Sequence, residues 1–368
     1  MRTKLRALPY VILLFPFDVL VIFGVLITHL CAFVSLWFKT PRHQDTKTRR
    51  CSTSPATILI VNWDGKHLLE ECLPSVLEAV RCDGGRHDVL VIDNGSTDGS
   101  VDFVRSRFPN VRVLALDRNY GFAGGNNRGV AEAQTDIVVL LNNDMIVDRG
   151  FLQPLLNGFS DSSVFSVTSQ IFLSSSNRRE ETGKTRADFN KGFLELRHEE
   201  ICPGEELAET IPVFWAGGGS CAFDRRKYLE IGGFDSLYSP FYVEDTDLSY
   251  QAWKRGLKCL LAPASHVIHK HRGTSRPKFG DEFVDNTIRK NLYLFMWKNV
   301  TDSSMILSHL ANLPRIHGRG MFHHEPGFEI RAFLRAFRQL PEALGKRIAT
   351  FSHHVISDHE VLARIQKP

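Results

Sequence analysis

Val89-Leu90-Val91-Ile92-Asp93-Asn94-Gly95-Ser96-Thr97-Asp98 sets an apolar run against an abrupt polar turn. The run has the length of a buried strand, stops on a carboxylate and turns at Gly95 into a helical stretch over 100–108. Neighbouring segments repeat this pattern. Residues 57–62 are apolar up to Asn62, and 136–141 are apolar up to Asn142, Asn143 and Asp144. Residues 67–80 place Leu68, Leu69, Leu73, Val76, Leu77 and Val80 at helical spacing. A strand over 111–116 and a helix over 126–133 complete a βαβαβαβ series. That order predicts a parallel sheet covered by helices on both faces. Such sheets present functional side chains at the carboxyl ends of their strands, where Asn62, Asp93 and the Asn142, Asn143, Asp144 triplet fall.

The 368 residues suffice for one large domain or two modest ones. With 43% hydrophobic and 23% charged residues the chain is ordinary globular material, which excludes disordered, fibrous and multi-span membrane classes. A net charge of +4, with no zinc-finger, RRM or basic-zipper pattern, predicts no nucleic-acid partner. The seven cysteines are odd in number and form no CxxC pair, so reduced thiols are expected.

Residues 7–38 contain only two side chains that readily carry charge, Asp18 and His29. The part from 19 to 38 is long enough for ~30 Å of hydrocarbon and too long for a signal-peptide core. Residues 1–38 are therefore expected to be a membrane anchor. Arg2, Lys4 and Arg6 precede it; Lys39, Arg42, Lys47, Arg49 and Arg50 follow in a basic linker over 39–55. The richer downstream flank predicts a cytoplasmic location for the bulk of the chain. Pro16 predicts a break, which leaves a single span and a re-entrant segment both open.

Beyond residue 160 the rhythm changes. A strand is expected over 164–172, a polar loop with one hairpin over 174–209, and an apolar stretch over 213–223 around Gly217, Gly218 and Gly219. A helix over 245–255, a strand over 257–263 and a helix over 283–299 follow. The tail 327–365 has apolar positions at helical spacing with Arg331, Arg335 and Arg338 between them. It suits an anionic membrane face or packing on the domain.

Four stretches carry chemistry. Asp93 at a strand tip can accept hydrogen bonds from a base or a ribose; Asp98 or Ser96 can equally cap a helix. The glycine-rich segment 119–129 lets backbone approach phosphate. It follows the third strand rather than the first and has no acid about 20 residues on at a strand tip in the usual role, which opposes a dehydrogenase fingerprint. Asn142-Asn143-Asp144 suits Mg²⁺ or Mn²⁺ bridging a diphosphate, or a plain turn. Glu244, Asp245 and Asp247 either complement a helix N-terminus or include a general base. His269, Lys270, His271 and Arg272 add imidazoles for the same metal and cations for phosphate.

In their order these stretches resemble the inverting glycosyltransferases of family 2, of GT-A fold, and within them the rhamnosyltransferase-like branch. The carrying motifs are VIDNGSTDGS (91–100), NYGFAGGNNRG (119–129), LLNNDM (140–145), WAGGGSCAFDRR (215–226) with GGFD (232–235), and FYVEDTDLSYQAWKRG (241–256). The resemblance runs from the first strand to Ser275. It implies an α/β, Rossmann-like domain with a mostly parallel central sheet and flanking helices, here with an N-terminal membrane helix and C-terminal amphipathic helices. The nucleotide-sugar half would be 56–160, the acceptor and catalytic half 161–300, and a helical extension 301–368. By the same resemblance, Val61, Asn62, Asp93, Asn94, Asn119, Gly121, Gly125, Asn126, Asn143, Trp215 and Gly218 would bind the donor. Asp144 and His271 would hold Mg²⁺ or Mn²⁺, with Asn142 and His269 as lesser candidates. Asn142 stands where the family carries its first acid, and a neutral amide is a weaker ligand. Asp245, beside Glu244, would be the catalytic base.

The implied activity is membrane-associated, inverting transfer of a sugar from a UDP- or dTDP-linked donor to a hydroxyl of a lipid-linked or polysaccharide acceptor. The alternative is a non-catalytic subunit of the same fold, which the presence of Asp93, Asp144 and Asp245 opposes. A nucleotidyltransferase would need a basic glycine-rich loop where Asn62-Trp63-Asp64-Gly65 stands, and a processive synthase would need a QxxRW segment.

Overall fold

The computed structural model describes residues 2–37, 55–173, 183–199, 210–270, 275–323 and 326–366. An apolar helix leads, α1 (Arg2–Trp37). The alternating series follows as β1 (Ala56–Asn62), α2 (Lys66–Cys82), β2 (Asp88–Asp93), α3 (Ser100–Arg107), β3 (Arg112–Ala115), α4 (Gly121–Glu132) and β4 (Ile137–Asn142). Next come β5 (Met145–Val147), α5 (Leu152–Asn157), β6 (Val164–Leu173), the hairpin β7 (Lys184–Asn190) and β8 (Phe193–Glu199), β9 (Ile211–Pro212) and β10 (Ser220–Asp224). The chain continues through α6 (Arg225–Ile231), α7 (Glu244–Lys254), β11 (Lys258–His269), α8 (Ser275–Phe279) and α9 (Asp281–Asn299). It ends in α10 (Ser303–His323), α11 (Pro326–Arg338), α12 (Leu340–Phe351) and α13 (Asp358–Gln366).

The central sheet runs β3-β2-β1-β4-β10-β6-β11-β5, with β9 paired to β11. The expected parallel arrangement holds from β3 to β4. β10 then enters antiparallel between β4 and β6, so the sheet as a whole is mixed. Alternate side chains serve two cores, as a strand covered on both faces requires. Leu59, Leu90 and Ile92 pack on one face with Val130 of α4. Ile58, Ile60 and Val91 pack on the other with Leu69, Leu73 and Val76 of α2.

Two local outcomes differ from the sequence expectation. α4 starts at Gly121 rather than 126, so the glycine-rich segment through Gly129 forms about its first two and a half turns. Its closeness to the sheet explains the glycines: a Cβ on Gly129 would come within 2.7 Å of Ile92 Cδ1. α1 runs through Pro16 without the expected break. Leu14, Asp18, Val21 and Val25 form a buried seam along α1, and packing on the C-terminal helices outweighs the one backbone bond that proline removes.

The C-terminal helices are tied to the domain by a buried carboxylate. Asp358 accepts from Lys254 Nζ of α7 at 2.6 Å and from the backbone N–H groups of Thr301 and Asp302, each at 2.6 Å. Both side chains of the Lys254–Asp358 pair are 1% exposed. Removing one member of such a pair strands the other charge in a dry interior. Asp358→Ala is expected to destabilise the fold by about 3–5 kcal/mol, read by urea or thermal unfolding; a loss within 0.5 kcal/mol, about that of an ordinary surface substitution, would contradict the pairing.

Candidate active site

Parallel register brings three strand tips to one level. Asn62 of β1 lies opposite Asp93 of β2, and Val61 lies opposite Asn142 of β4. Asn62 is fully buried and links the three ends. Its Nδ2 donates to Asp93 Oδ2 at 3.4 Å and to Ser96 Oγ at 3.3 Å, and its Oδ1 accepts from Asn143 Nδ2 at 2.8 Å. Asp93 also accepts from the Ser96 N–H at 3.0 Å. Gly65 is confined here, because a Cβ would fall 2.5 Å from Asn143 Nδ2.

Asn94 organises the next loop. It donates to Asn119 Oδ1 and to the Gly121 carbonyl, both at 3.0 Å, and accepts from the Tyr120 N–H at 2.9 Å. A Cβ on Gly125 would sit 3.1 Å from Val61 Cγ1, so α4 opens directly over the β1 tip. Asn126 donates to the Phe122 carbonyl at 3.0 Å, inside the first turn of α4. Trp215 is walled into the core: its N–H donates to Thr185 Oγ1 at 3.0 Å and its ring lies 4.9 Å from that of His198.

Asp144 sits just beyond β4 and is 8% exposed. His269 Nε2, at the end of β11, lies 3.0 Å from its Oδ2, while its Oδ1 is buried without a hydrogen-bond partner. Among the described residues no three His, Cys, Asp or Glu side chains gather as a metal cage. One carboxylate with an unused oxygen, a neighbouring imidazole and the Asn142 and Asn143 amides suit an ion that completes its shell with phosphate oxygens and water. His271 lies outside the described residues.

The three acids at the start of α7 take separate roles. Asp247 turns inward, accepting from Tyr238 Oη, Lys298 Nζ and Asn299 Nδ2, each at 2.7 Å. Asp245 accepts from the Gly218 N–H at 3.2 Å and the Thr246 N–H at 2.7 Å. Glu244 is buried and its Oε2 has no partner. Burial pushes Glu244 up to about 8, and the Asp245 charge beside it adds to the shift. Burial also raises Asp245, while the N–H donors of Gly218 and Thr246 pull it back. Burial therefore favours the neutral form of Glu244, while the N–H donors on Asp245 favour its anion.

Gly218 closes the circle. A Cβ there would meet the Phe122 ring at 3.1 Å, and a Cβ on Gly219 would meet Asn142 Nδ2 at 3.0 Å. Contacts thus run from Asp93 through Asn94 to α4, across Gly218 to Asp245, and back through Gly219 to Asn142. These contacts bring the sequence-predicted residues Val61, Asn62, Asp93, Asn94, Asn119, Gly121, Gly125, Asn143, Gly218 and Asp245 together at the carboxyl edge of the sheet, with Asp144 next to Asn143.

Sequence reasoning missed Asn291 of α9. Its Nδ2 donates to the carbonyls of Tyr238, Phe241 and Tyr242 at 2.8, 3.0 and 2.8 Å. It holds a strained loop: Tyr242 and Val243 both have positive φ, 68° and 77°, the second a β-branched residue. That loop delivers Glu244 and Asp245. No motif marks an asparagine in mid-helix, so only the tertiary contact reveals it.

With this geometry in place, the comparisons agree. Residues 57–230 match the model of glycosyl transferase family 2. The chain is 29% identical over 218 residues to N-acetylglucosaminyl-diphospho-decaprenol L-rhamnosyltransferase of Mycobacterium tuberculosis (strain ATCC 25618 / H37Rv), covering 51% of this chain and 68% of that protein. It is 23% identical over 275 residues to polypeptide N-acetylgalactosaminyltransferase 3 of Drosophila melanogaster, covering 68% of this chain and 40% of that one. A crystal structure of GalNAc-T7 with UDP, GalNAc and Mn²⁺ superposes with a TM-score of 0.55 at 17% identity, over 81% of this chain and 57% of the other; this likeness concerns the fold.

The protonation of Glu244 has a measurable consequence. Its folded value lies above its unfolded one, so folding takes up a proton between about pH 4.5 and 8. Stability falls as pH rises through that window, with a slope of up to about 1.4 kcal/mol per pH unit from this one group. Glu244→Gln should flatten that slope in urea titrations from pH 5 to 8. An unchanged slope would mean that the carboxyl is ionised throughout.

Proposed function

Residues 57–230 belong to glycosyl transferase family 2, which makes the chain a glycosyltransferase, and from that premise we propose inverting sugar transfer to a lipid-linked glycan at a membrane surface. The observation that carries this reading is Asp245, held by the N–H groups of Gly218 and Thr246 beside the buried Glu244 and linked through Gly218 and Gly219 to the strand tip at Asn142.

Asp93 and the loop that Asn94 holds would take the nucleoside of a UDP- or dTDP-linked donor. Asp144 and His269 would hold Mg²⁺ or Mn²⁺, with Asn142 as a weaker neighbour; when bound, the ion supplies positive charge for the departing diphosphate. Asp245 Oδ2 takes the proton of the acceptor hydroxyl as that oxygen attacks the anomeric carbon from the face opposite the leaving group. Single displacement inverts the centre. Burial favours the neutral form of Glu244 and Asp247 is paired with Lys298, which leaves Asp245 as the available carboxylate of the three. Similarity to a rhamnosyltransferase named for N-acetylglucosaminyl-diphospho-decaprenol supports a polyprenyl-linked acceptor, and the apolar α1 supports membrane association. The basic linker supports a catalytic domain facing the cytoplasm.

The test is nucleoside-diphosphate release from a panel of sugar nucleotides, with Mg²⁺, Mn²⁺ or chelator, and with an N-acetylglucosaminyl-diphospho-polyprenol as acceptor. Release from one donor should depend on metal and fall by about 10²–10⁴-fold in Asp245→Asn, with donor binding kept. Retained turnover in that variant would remove Asp245 from the role of base. No release from any donor, with donor still bound, would point to the scaffold reading.

Asp144→Ala provides a separate check on the metal. Donor affinity measured by calorimetry should lose its dependence on Mn²⁺. A Mn²⁺ effect that survives the substitution would place the ion elsewhere.

A further inference from the structure

α1 is long and apolar enough to cross a membrane, yet one of its seams is committed to the protein. Phe17 packs edge-on against Phe337 of α11 at 5.1 Å between ring centroids. Asp18 Oδ1 lies 2.9 Å from His317 Nε2 of α10. A Cβ on Gly24 would come within 2.8 Å of Leu344 of α12, and His29 contacts Ser303 at 3.2 Å. Among the described side chains of α1, docking thus runs from Leu14 to His29, about 24 Å of helix at 1.5 Å per residue.

That docking decides how the helix can meet a bilayer. Residues 2–13 and 30–37 extend about 18 and 12 Å beyond the docked stretch, and neither spans a ~30 Å hydrocarbon core. If the docked stretch itself crossed, α10, α11 and α12 would enter the hydrocarbon with it. Arg315, Arg331, Arg338 and Glu342 are exposed on those helices, and each charge would cost ~2.5–3.5 kcal/mol even on lenient insertion scales.

The opposite side of α1 tells what it meets. Phe15, Leu20, Phe23, Ile27 and Leu30 recur at helical spacing and are 56–64% exposed. The stripe continues onto the neighbours. Leu307, 57% exposed, is one turn along α10 from the Ser303 that contacts His29. Ile348, 43% exposed, is one turn along α12 from Leu344. Arg2, Lys4 and Arg6 before the stripe, and Lys39 and Arg42 after it, complement an anionic leaflet.

Resting on the membrane association argued above, we propose that α1 is a monotopic anchor: it lies along one leaflet of an anionic bilayer with its Phe15–Leu30 stripe in the acyl boundary, and both of its ends stay on the side of the catalytic domain. A helix lying in the interface needs only its apolar face covered by lipid, and the domain covers the face that carries Asp18. The bilayer then sets the height and tilt of the cleft, because α1 and the domain move as one piece.

Protease-cleavable tags before residue 1 and between residues 45 and 46 of the full chain test this in sealed vesicles from producing cells. A third tag after Pro368 reports the side of the catalytic domain. Cleavage of all three tags from the same side is expected. Protection of the first tag alone would overturn the proposal, since α1 would then cross. The double variant Leu20→Glu and Phe23→Glu should lower flotation with phosphatidylglycerol-containing vesicles by tenfold or more while thermal unfolding and donor binding stay as in the parent. Unchanged flotation would overturn the stripe as the contact. If the parent chain itself fails to float, the membrane reading falls with it, an outcome distinct from a protected first tag.

Discussion

Parallel register is the constraint from which the cleft follows. β1, β2 and β4 are covered on both faces, so their side chains can neither slip by one residue nor twist outward without moving apolar groups into water. With the register fixed, Asn62 must lie opposite Asp93 and Val61 opposite Asn142. The polar groups that end the strands then have nowhere to go but the carboxyl edge. Asn62 satisfies itself there by bonding both neighbours, through Asp93 and Asn143. The same edge is where α2 and α4 begin, so helix N-termini and strand-tip carboxylates converge on one volume.

Charge is then sorted within that volume by partner count. Asp247 has three close donors, one of them a lysine, and is a structural anion. Asp245 has backbone donors and remains available. Glu244 has an orphaned oxygen and holds its proton. Three acids within four residues, all repelling one another in an extended chain, become one buried ion pair, one carboxylate held by backbone donors and one acid whose burial favours its neutral form. The strained backbone at Tyr242 and Val243 is what separates Glu244 and Asp245 from the helix interior, and Asn291 offsets that strain with three hydrogen bonds.

Much of this was legible in the sequence, for a physical reason. Strand tips announce themselves where an apolar run stops on Asn or Asp, so Asn62, Asp93 and Asp144 could be read without coordinates. The separate fates of Glu244, Asp245 and Asp247 could not, since they depend on Lys298 and Asn299 about 50 residues downstream and on the Gly218 N–H upstream. His269 is the histidine found beside Asp144, because β11 runs on to His269, longer than the expected strand over 257–263. The antiparallel entry of β10 was equally hidden. The five residues Ser220–Asp224 have no strand direction until β4 and β6 flank them.

α9 joins the chemistry to the anchor. Asn291 and Tyr293 are two residues apart, about 200° around a helix, and so face opposite sides. Asn291 grips the loop that presents Asp245. The Tyr293 hydroxyl bonds Glu329 of α11 and lies 3.2 Å from His317, the residue that meets Asp18 of α1. Arg289, one turn earlier, completes the pairing with Glu329 at 3.0 Å. The path from Asp18 of α1 to the Asp245 loop therefore runs through α10 and α9, by side chains packed within the fold. A buried polar chain of this kind tolerates no partial engagement, since each member left unpaired carries its full desolvation cost. An acceptor whose tail lies in the bilayer presents its hydroxyl at a height set by its own length. On the proposed reading, a rigid link between the α1 stripe and Asp245 would fix the height of that carboxylate to match, so that the site would select its acceptor by reach before any sugar contact is made.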